Sequence, residues 1–270
     1  MIKRIYQLLF SGKQRIKNRL LFNKMLSVFY WGNTYDCNCC GKSFRKFKSK
    51  GTVLTKRKNA ECPYCGSLER GRNLLFYIEN ETDILTAQPA ILHFAPEWCL
   101  LPVLRKTGNP NYLTADINPD FADRQVDITD IPFPDQSFDY ILCFHVLAHV
   151  PDEKKAIEEM YRVLKPGGTA LVATLIAPDH PHTFETDKAD TPQQRLLYYS
   201  EPDMLRLHGA DFDRRLMQGG FKVEVIDYPS ILGEEMKKKY ALGDGRRELI
   251  FRCTKEEGQA PTAMVYKRRR

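Results

Sequence analysis

Four cysteines stand in two pairs of the same form. Cys37 and Cys40 bracket two residues, Cys62 and Cys65 bracket two more, and a glycine, Gly41 or Gly66, follows each pair. The short Cys-x-x-Cys bite suits tetrahedral zinc. Two such knuckles bring four thiolates to one ion, and glycine lets the backbone turn its amides towards the sulfurs. The 21 residues between the pairs slightly exceed the usual spacing, which a ribbon-type loop tolerates. A site closed by four thiolates has no open position, so it would support folding and not catalysis. Redox dithiols or reduced free cysteines are the competing reading. Cys39 complicates the first knuckle, but it is too near Cys40 for both to bind, and Cys37/Cys40 mirrors Cys62/Cys65.

The elements that would position further chemistry begin at residue 90. Ile91-Leu92-His93-Phe94 reads as a short apolar strand and Glu97 to Lys106 as a helix. Tyr112 to Asp116 is a strand ending on an acid. Phe138 to Phe144 and Thr169 to Ile176 are two more strands, and Phe221 to Asp227 and Glu248 to Cys253 complete the sheet. Strands alternating with helical patterns predict an α/β fold with a doubly wound, mostly parallel core. Asp152 can cap a helix over 153–164, with Ala156, Met160 and Leu164 as its apolar stripe and Gly167 closing it in a left-handed conformation. Open sheets of this kind place ligands at the carboxyl ends of their strands. Asp116, His145 and His149 fall there. Residues 177–200 are polar and Pro-punctuated, either a substrate lid or a surface excursion.

Charge divides the chain. Residues 1–35 carry seven Lys/Arg and no Asp/Glu, residues 36–88 carry ten basic and six acidic residues, and the last four, Lys267 to Arg270, are all basic. The net +7 therefore hides an acidic domain between two basic ends. The organisation expected is a basic amphipathic helix (1–33), a cysteine module (34–71), a connecting helix (72–89), the main domain (90–257) and a basic tail (258–270). In the first segment Ile2, Ile5, Leu9, Ile16, Leu20 and Leu21 would share a helical face, although Gly12 weakens a continuous helix. Such a helix can lie on an anionic membrane surface, on RNA, or on its own protein. Gly41 to Lys58 holds eight cations with Phe44 and Phe47 among them, either a phosphate- and base-binding hairpin or a charged hairpin with two phenylalanines in a small core. No run of about 18 apolar residues occurs, so no transmembrane helix is expected. The basic N-terminus has too short an apolar stretch for a signal peptide. The cytoplasm, with peripheral contact at an inner membrane surface, is the compartment expected.

The order of several short motifs resembles a class I S-adenosylmethionine (SAM) methyltransferase of the methyltransferase-11 type behind a zinc-ribbon-like module. CPYCGSLERGRNLLFYI (62–78) resembles the module-to-core junction of such proteins. DQSFDYILCFHVLAHV resembles the fourth-strand motif, RVLKPGGTALVA the passage into the fifth strand, and RLMQGGFKVEV the passage into the sixth. The resemblance spans roughly 37–254 and implies a Rossmann-like, seven-stranded sheet. It places Asp116, with Ile117 beside it, where a carboxylate accepts from both ribose hydroxyls of the cofactor. It places Asp127 and Ile128 where the adenine is held, and Phe144 at the cofactor end of the fourth strand. Two departures stand out. His93-Phe94-Ala95-Pro96-Glu97 replaces the glycine-rich loop, and glycine there normally lets the backbone approach the cofactor. Phe94, Ala95 and Glu97 would then form a variant cofactor loop, with Glu97 facing the methionine amine or sulfonium, or else the site is altered. Ala148 replaces an acid common in the related Leu-Glu-His-Val sequence.

The implied reaction is methyl transfer, in which the protein chiefly aligns the acceptor. A hydroxyl acceptor gains from a general base, and His145 or His149 could serve, or could only orient neighbours. The resemblance implies sugars or other small or lipid-linked acceptors. An RNA methyltransferase using the basic module, and a non-catalytic SAM-fold module that binds a partner, remain as alternatives.

Overall fold

Apolar residues fill the central strands at nearly every position because the sheet is covered on both faces. The computed structural model describes residues 10–51, 56–243 and 248–257. Ile2, Ile5, Leu9 and the tail 258–270 lie outside them. The seven-stranded sheet comprises β5 (Ile91–Phe94), β6 (Tyr112–Asp116), β7 (Arg124–Gln125), β8 (Phe138–Phe144), β9 (Leu164–Ala173), β10 (Lys222–Ile226) and β11 (Ile250–Thr254). Its order is β10-β11-β9-β8-β5-β6-β7. The β9-β8-β5-β6-β7 part is parallel, and β11 runs antiparallel between β9 and β10. The fold is the expected Rossmann-like α/β class. Strand β7 is only two residues long with both side chains exposed, so it leaves no periodic signal.

Alternation sorts the sheet into two cores. Leu92, Phe94, Ile141 and Cys143 face Ile157 and Met160 of α4 (Glu153–Val163) and Phe212 and Leu216 of α6 (Phe212–Gln218). Ile91, Leu142, Phe144 and Leu171 face Leu74, Leu75 and Ile78 of α2 (Glu69–Glu81) and Leu104 of α3 (Leu101–Lys106). Asp152 caps α4, accepting from the Lys155 amide at 2.9 Å. Gly167 does not close that helix. The chain is already extended at Leu164, and Gly167, at φ +77°, turns within β9, where its N–H donates to the Lys255 carbonyl at 2.7 Å. Helix α3 is shorter than expected, because residues 97–100 form tight turns after Pro96 and the helix starts at Leu101 with Pro102 in its first turn. Helix α2 begins at Glu69, before the expected residue 72. Residues 177–200 are not wholly irregular, since α5 (Pro192–Tyr199) forms behind a Thr191–Gln194 capping box.

The module holds two antiparallel hairpins, β1 (Trp31–Cys37) with β2 (Lys42–Phe44) and β3 (Lys48–Lys50) with β4 (Arg57–Glu61). Phe44 and Phe47 are both buried, with Tyr35 and Phe47 centroids 5.5 Å apart. They anchor the module's core, as the second hairpin reading held. Arg72 staples module to main domain. Fully buried, it donates to the carbonyls of Ser67 (2.8 Å), Ala60 (3.1 Å), Tyr240 (2.7 Å) and Ala241 (2.7 Å).

Helix α1 (Gly12–Leu26) starts behind the Ser11 cap, so Gly12 opens the helix instead of interrupting it. The Gly12 amide donates to Asp120 Oδ2 at 2.8 Å, and a Cβ at Gly12 would lie 2.4 Å from the Phe121 ring. The single apolar face expected of this helix is split. Ile16 and Leu20 turn towards the main domain, while Leu21 is 61% exposed.

Candidate active site and thiol cluster

The sulfurs of Cys37, Cys40, Cys62 and Cys65 all lie within 4.8 Å of one another. Cys37 closes β1 and Cys62 follows β4. Each knuckle turns through a glycine in the left-handed region, Gly41 at φ +66° and Gly66 at φ +74°, which any other L-residue would occupy under strain. The Gly41 and Gly66 amides donate to the Cys37 and Cys62 carbonyls at 2.8 and 3.0 Å. The Cys37–Cys65 and Cys40–Cys62 sulfur separations are 3.6 and 3.9 Å. A tetrahedral ion with Zn–S of about 2.3 Å requires roughly 3.8 Å, so the four residues fit zinc. Cys39 points away, its thiol 3.7 Å from the Gly71 carbonyl, and does not compete for the site.

A cavity of about 410 Å³ opens at the carboxyl ends of β5, β6 and β8. That volume lies within the roughly 300–1,000 Å³ of small-molecule sites. Ala95, Glu97, Asp116, Phe144 and His145 all line it. Ala95 and His145, directly after β5 and β8, adopt left-handed backbone at φ +45° and +54°. His93, fully buried beneath the cavity, meets the Tyr112 hydroxyl through Nδ1 at 2.9 Å. Burial pushes the Tyr112 phenol up, so it stays protonated. The other ring nitrogen of His93, Nε2, faces Glu97 Oε2 at 3.5 Å. Arg70 Nε stands 3.6 Å from Glu97 Oε1. Both separations are too long for good hydrogen bonds. Arg70 Nε, His93 Nε2 and Glu97 Oε2 are buried without a hydrogen-bond partner in the protein. Such atoms call for a ligand that brings both a donor and an acceptor.

The remaining candidates lie outside the cavity. Phe94 alternates to the opposite face of β5 and packs in the core with Ile128. Ile117 is 64% exposed. Asp127 is exposed and caps its own turn, accepting from the Thr129 amide and hydroxyl at 2.8 and 2.7 Å. His149 sits on the loop beyond β8, with Nδ1 3.0 Å from the Asp203 carbonyl. Sequence reasoning missed Arg70 and Trp98, and it missed Ile16, Arg19 and Leu20, which α1 contributes to the rim. Arg70 stands in the quoted junction motif and Trp98 beside Glu97, so both were within reach. Nothing local marks a helix 80 residues upstream as a wall of the site.

The loop carrying the two histidines is braced from below. Arg206, 4% exposed, donates to the carbonyls of Leu147 (2.8 Å), Val150 (2.5 Å) and Pro151 (3.0 Å). His208 is fully buried, with Nε2 2.5 Å from Glu153 Oε1 and Nδ1 2.9 Å from Thr174 Oγ1. Burial lowers the His208 pKa against the pull of Glu153. Burial pushes the Glu153 carboxyl up, but His208 and Arg215 together hold it below the usual range.

Comparison with known proteins bears on this region. Residues 99–172 match the family model of a methyltransferase domain. Over that stretch the core is similar to a methyltransferase domain. The matched stretch runs from the turn after β5 almost to the end of β9 and includes Asp116, Phe144 and His145. The ubiquinone/menaquinone biosynthesis C-methyltransferase UbiE of Pseudoalteromonas translucida is 46% identical over 56 residues, 21% of this chain and 22% of its own length. The demethylmenaquinone methyltransferase of Listeria welshimeri is 46% identical over 52 residues, 19% of this chain and 22% of its own length. The chain thus spans about a fifth (22%) of the length of these curated relatives. Among solved structures, the YcgJ protein from Bacillus subtilis overlaps with a TM-score of 0.44 at 17% identity, covering 68% of this chain and 98% of its own.

Proposed function

We propose that this protein is a SAM-dependent methyltransferase acting on a hydroxyl of a sugar or another small or lipid-linked acceptor. One observation carries the cofactor assignment. The methyltransferase-domain match contributes Asp116, Phe144 and His145 to a cavity that Arg70 and Glu97 also line, and buried atoms of those two and of neighbouring His93 have no hydrogen-bond partner. SAM supplies a sulfonium-activated methyl group when bound. Asp116 ends β6 at the cavity and accepts from the ribose hydroxyls. Its Oδ1 already takes the Asn118 amide at 2.8 Å, which fixes the carboxylate's orientation. Glu97 receives the ammonium of the methionine end and Arg70 its carboxylate, which fills both gaps in the buried triad. Ala95 is the smallest side chain short of glycine at its left-handed position, so the loop keeps a close backbone approach without glycines. Phe144 supplies the apolar floor.

His145 takes the acceptor proton in this reading, because its backbone, held by the Ala173 carbonyl at 2.7 Å, sets the residue at the cavity wall. His149, bonded towards Asp203, orients the loop. The four thiolates of Cys37, Cys40, Cys62 and Cys65 hold a structural zinc, and Cys65 and Gly66 carry that rigidity to the cavity rim. The quinone relatives share too short a stretch to carry their acceptor over.

Calorimetric titration of the zinc-loaded protein with SAM and S-adenosylhomocysteine tests the reading. Micromolar binding that Asp116→Ala abolishes is the expected result. A folded wild type that binds neither compound would overturn it. Turnover of SAM with a hydroxyl acceptor separates an enzyme from a binding module.

A further inference from the structure

Leu21, Phe22, Met25, Val28, Phe29 and Trp31 point out of α1 and the chain that follows it, and each is between 59% (Phe22) and 84% (Trp31) exposed. Single apolar side chains on a surface are ordinary, but six within eleven residues form a patch. Four exposed cations flank it. Arg45 Nη2 donates to the Phe29 carbonyl at 2.9 Å, Lys46 lies over the Tyr30 ring at 5.8 Å, and Lys24 and Lys42 lie over the Tyr64 ring at 5.6 and 4.7 Å. Among the described residues none of these four is paired with a carboxylate. The three acids of residues 10–71 are all engaged elsewhere. Asp36 faces Lys239 at 3.5 Å, Glu61 faces Lys48 and Lys50 at 2.8 and 3.0 Å, and Glu69 faces Arg57 at 2.8 Å.

We propose that this face docks on an anionic lipid surface. The apolar side chains enter the headgroup boundary, and Lys24, Lys42, Arg45 and Lys46 lie among the lipid phosphates. The composition favours lipid over the other occupants. Leu21, Met25 and Val28 offer no ring on which a base could stack, so RNA would leave half the patch unused. A symmetric pair of copies would press the same unpaired cations against one another. The opposite side of α1 presents Ile16, Arg19 and Leu20 to the cavity. A docked membrane therefore lies about one helix diameter, roughly 10 Å, from the site. Delivery of a lipid-linked acceptor across that distance rests on the methyltransferase reading; the docking does not.

Co-sedimentation of the full chain with phosphatidylglycerol–phosphatidylcholine vesicles tests the docking without any methyl transfer. Binding is expected there and not to pure phosphatidylcholine. Lys42→Gln with Lys46→Gln should weaken it roughly 25-fold, at about fivefold per cation removed. Phe29→Ser with Trp31→Ser should weaken it about tenfold or more through the lost apolar burial. All four positions are exposed, so circular dichroism of the variants should match the wild type. Trp31 emission should shift to the blue on binding, and Trp31→Phe should remove that shift. Failure of the full chain to sediment with anionic vesicles overturns the proposal. Binding that ignores both double variants also overturns it, as does a dimer dissolved by Trp31→Ser or a single-stranded RNA that displaces the vesicles.

Discussion

Replacing Glu97 by Gln removes one negative charge from the cavity while keeping the side chain's shape. The carboxylate is 11% exposed and faces Arg70 Nε at 3.6 Å and His93 Nε2 at 3.5 Å, neither of which it grips at hydrogen-bond length. If Glu97 holds the ammonium of the cofactor, the variant loses a charge-assisted hydrogen bond of about 1.5–3 kcal/mol. The loss corresponds to a Kd for SAM weakened by about tenfold to a hundredfold. Methylthioadenosine, which lacks the amino-acid end, provides the internal control. Its affinity should change less than about threefold in Glu97→Gln, because on this reading only the purine, ribose and sulfur touch the other walls. Calorimetric titration of both ligands against both proteins closes the cycle. Equal losses for the two ligands would mean that the substitution distorts the loop as a whole. No loss for SAM would remove Glu97 from the cofactor's reach and with it the assignment of the buried triad.

Other outcomes follow from the same structure. Arg72→Met should lower the free energy of unfolding by about 3–5 kcal/mol in urea titrations, because it strips a buried guanidinium from four carbonyls on both sides of the module boundary. Atomic absorption should find one zinc per chain, lost in Cys62→Ser. Its removal by chelator should lower both the Tm and the SAM affinity, since Cys65 and Gly66 line the cavity, and refilling should restore both. Stability should fall as pH drops below 6.5. His208 has a folded pKa below that ordinary value, so the unfolded chain takes the proton first. Glu153, also depressed, extends the loss below its ordinary 4.5. His208→Gln should flatten the upper part of that profile in thermal melts collected at stepped pH.

Local patterns made much of this protein legible in its sequence. The knuckles are local, since ligand spacing and the following glycine suffice, and the four sulfurs converge. Strand β5 and the second half of β8 were visible because burial on both faces favours apolar runs. The capping aspartate of α4 was visible because a cap acts within three residues. Asp116 and His145 were expected at the crevice from their places at strand ends, and both line the cavity.

What the tertiary structure alone decided are the pairings that no window of sequence contains. Arg72 meets the carbonyls of Tyr240 and Ala241, 168 and 169 residues away. Gly12 meets Asp120 across 108 residues, and that contact lays α1 against the cavity. The same contact turns Ile16 and Leu20 inward and leaves Leu21, Phe22 and Met25 outside, so a helix read as having one apolar face has two, one against the cavity and one exposed. Phe94 and Phe144 were equal candidates by sequence, and the pleat placed them on opposite faces of the sheet. Periodicity reports that a side chain is buried. Which neighbour buries it depends on how distant elements dock, and that is settled only when the whole chain packs.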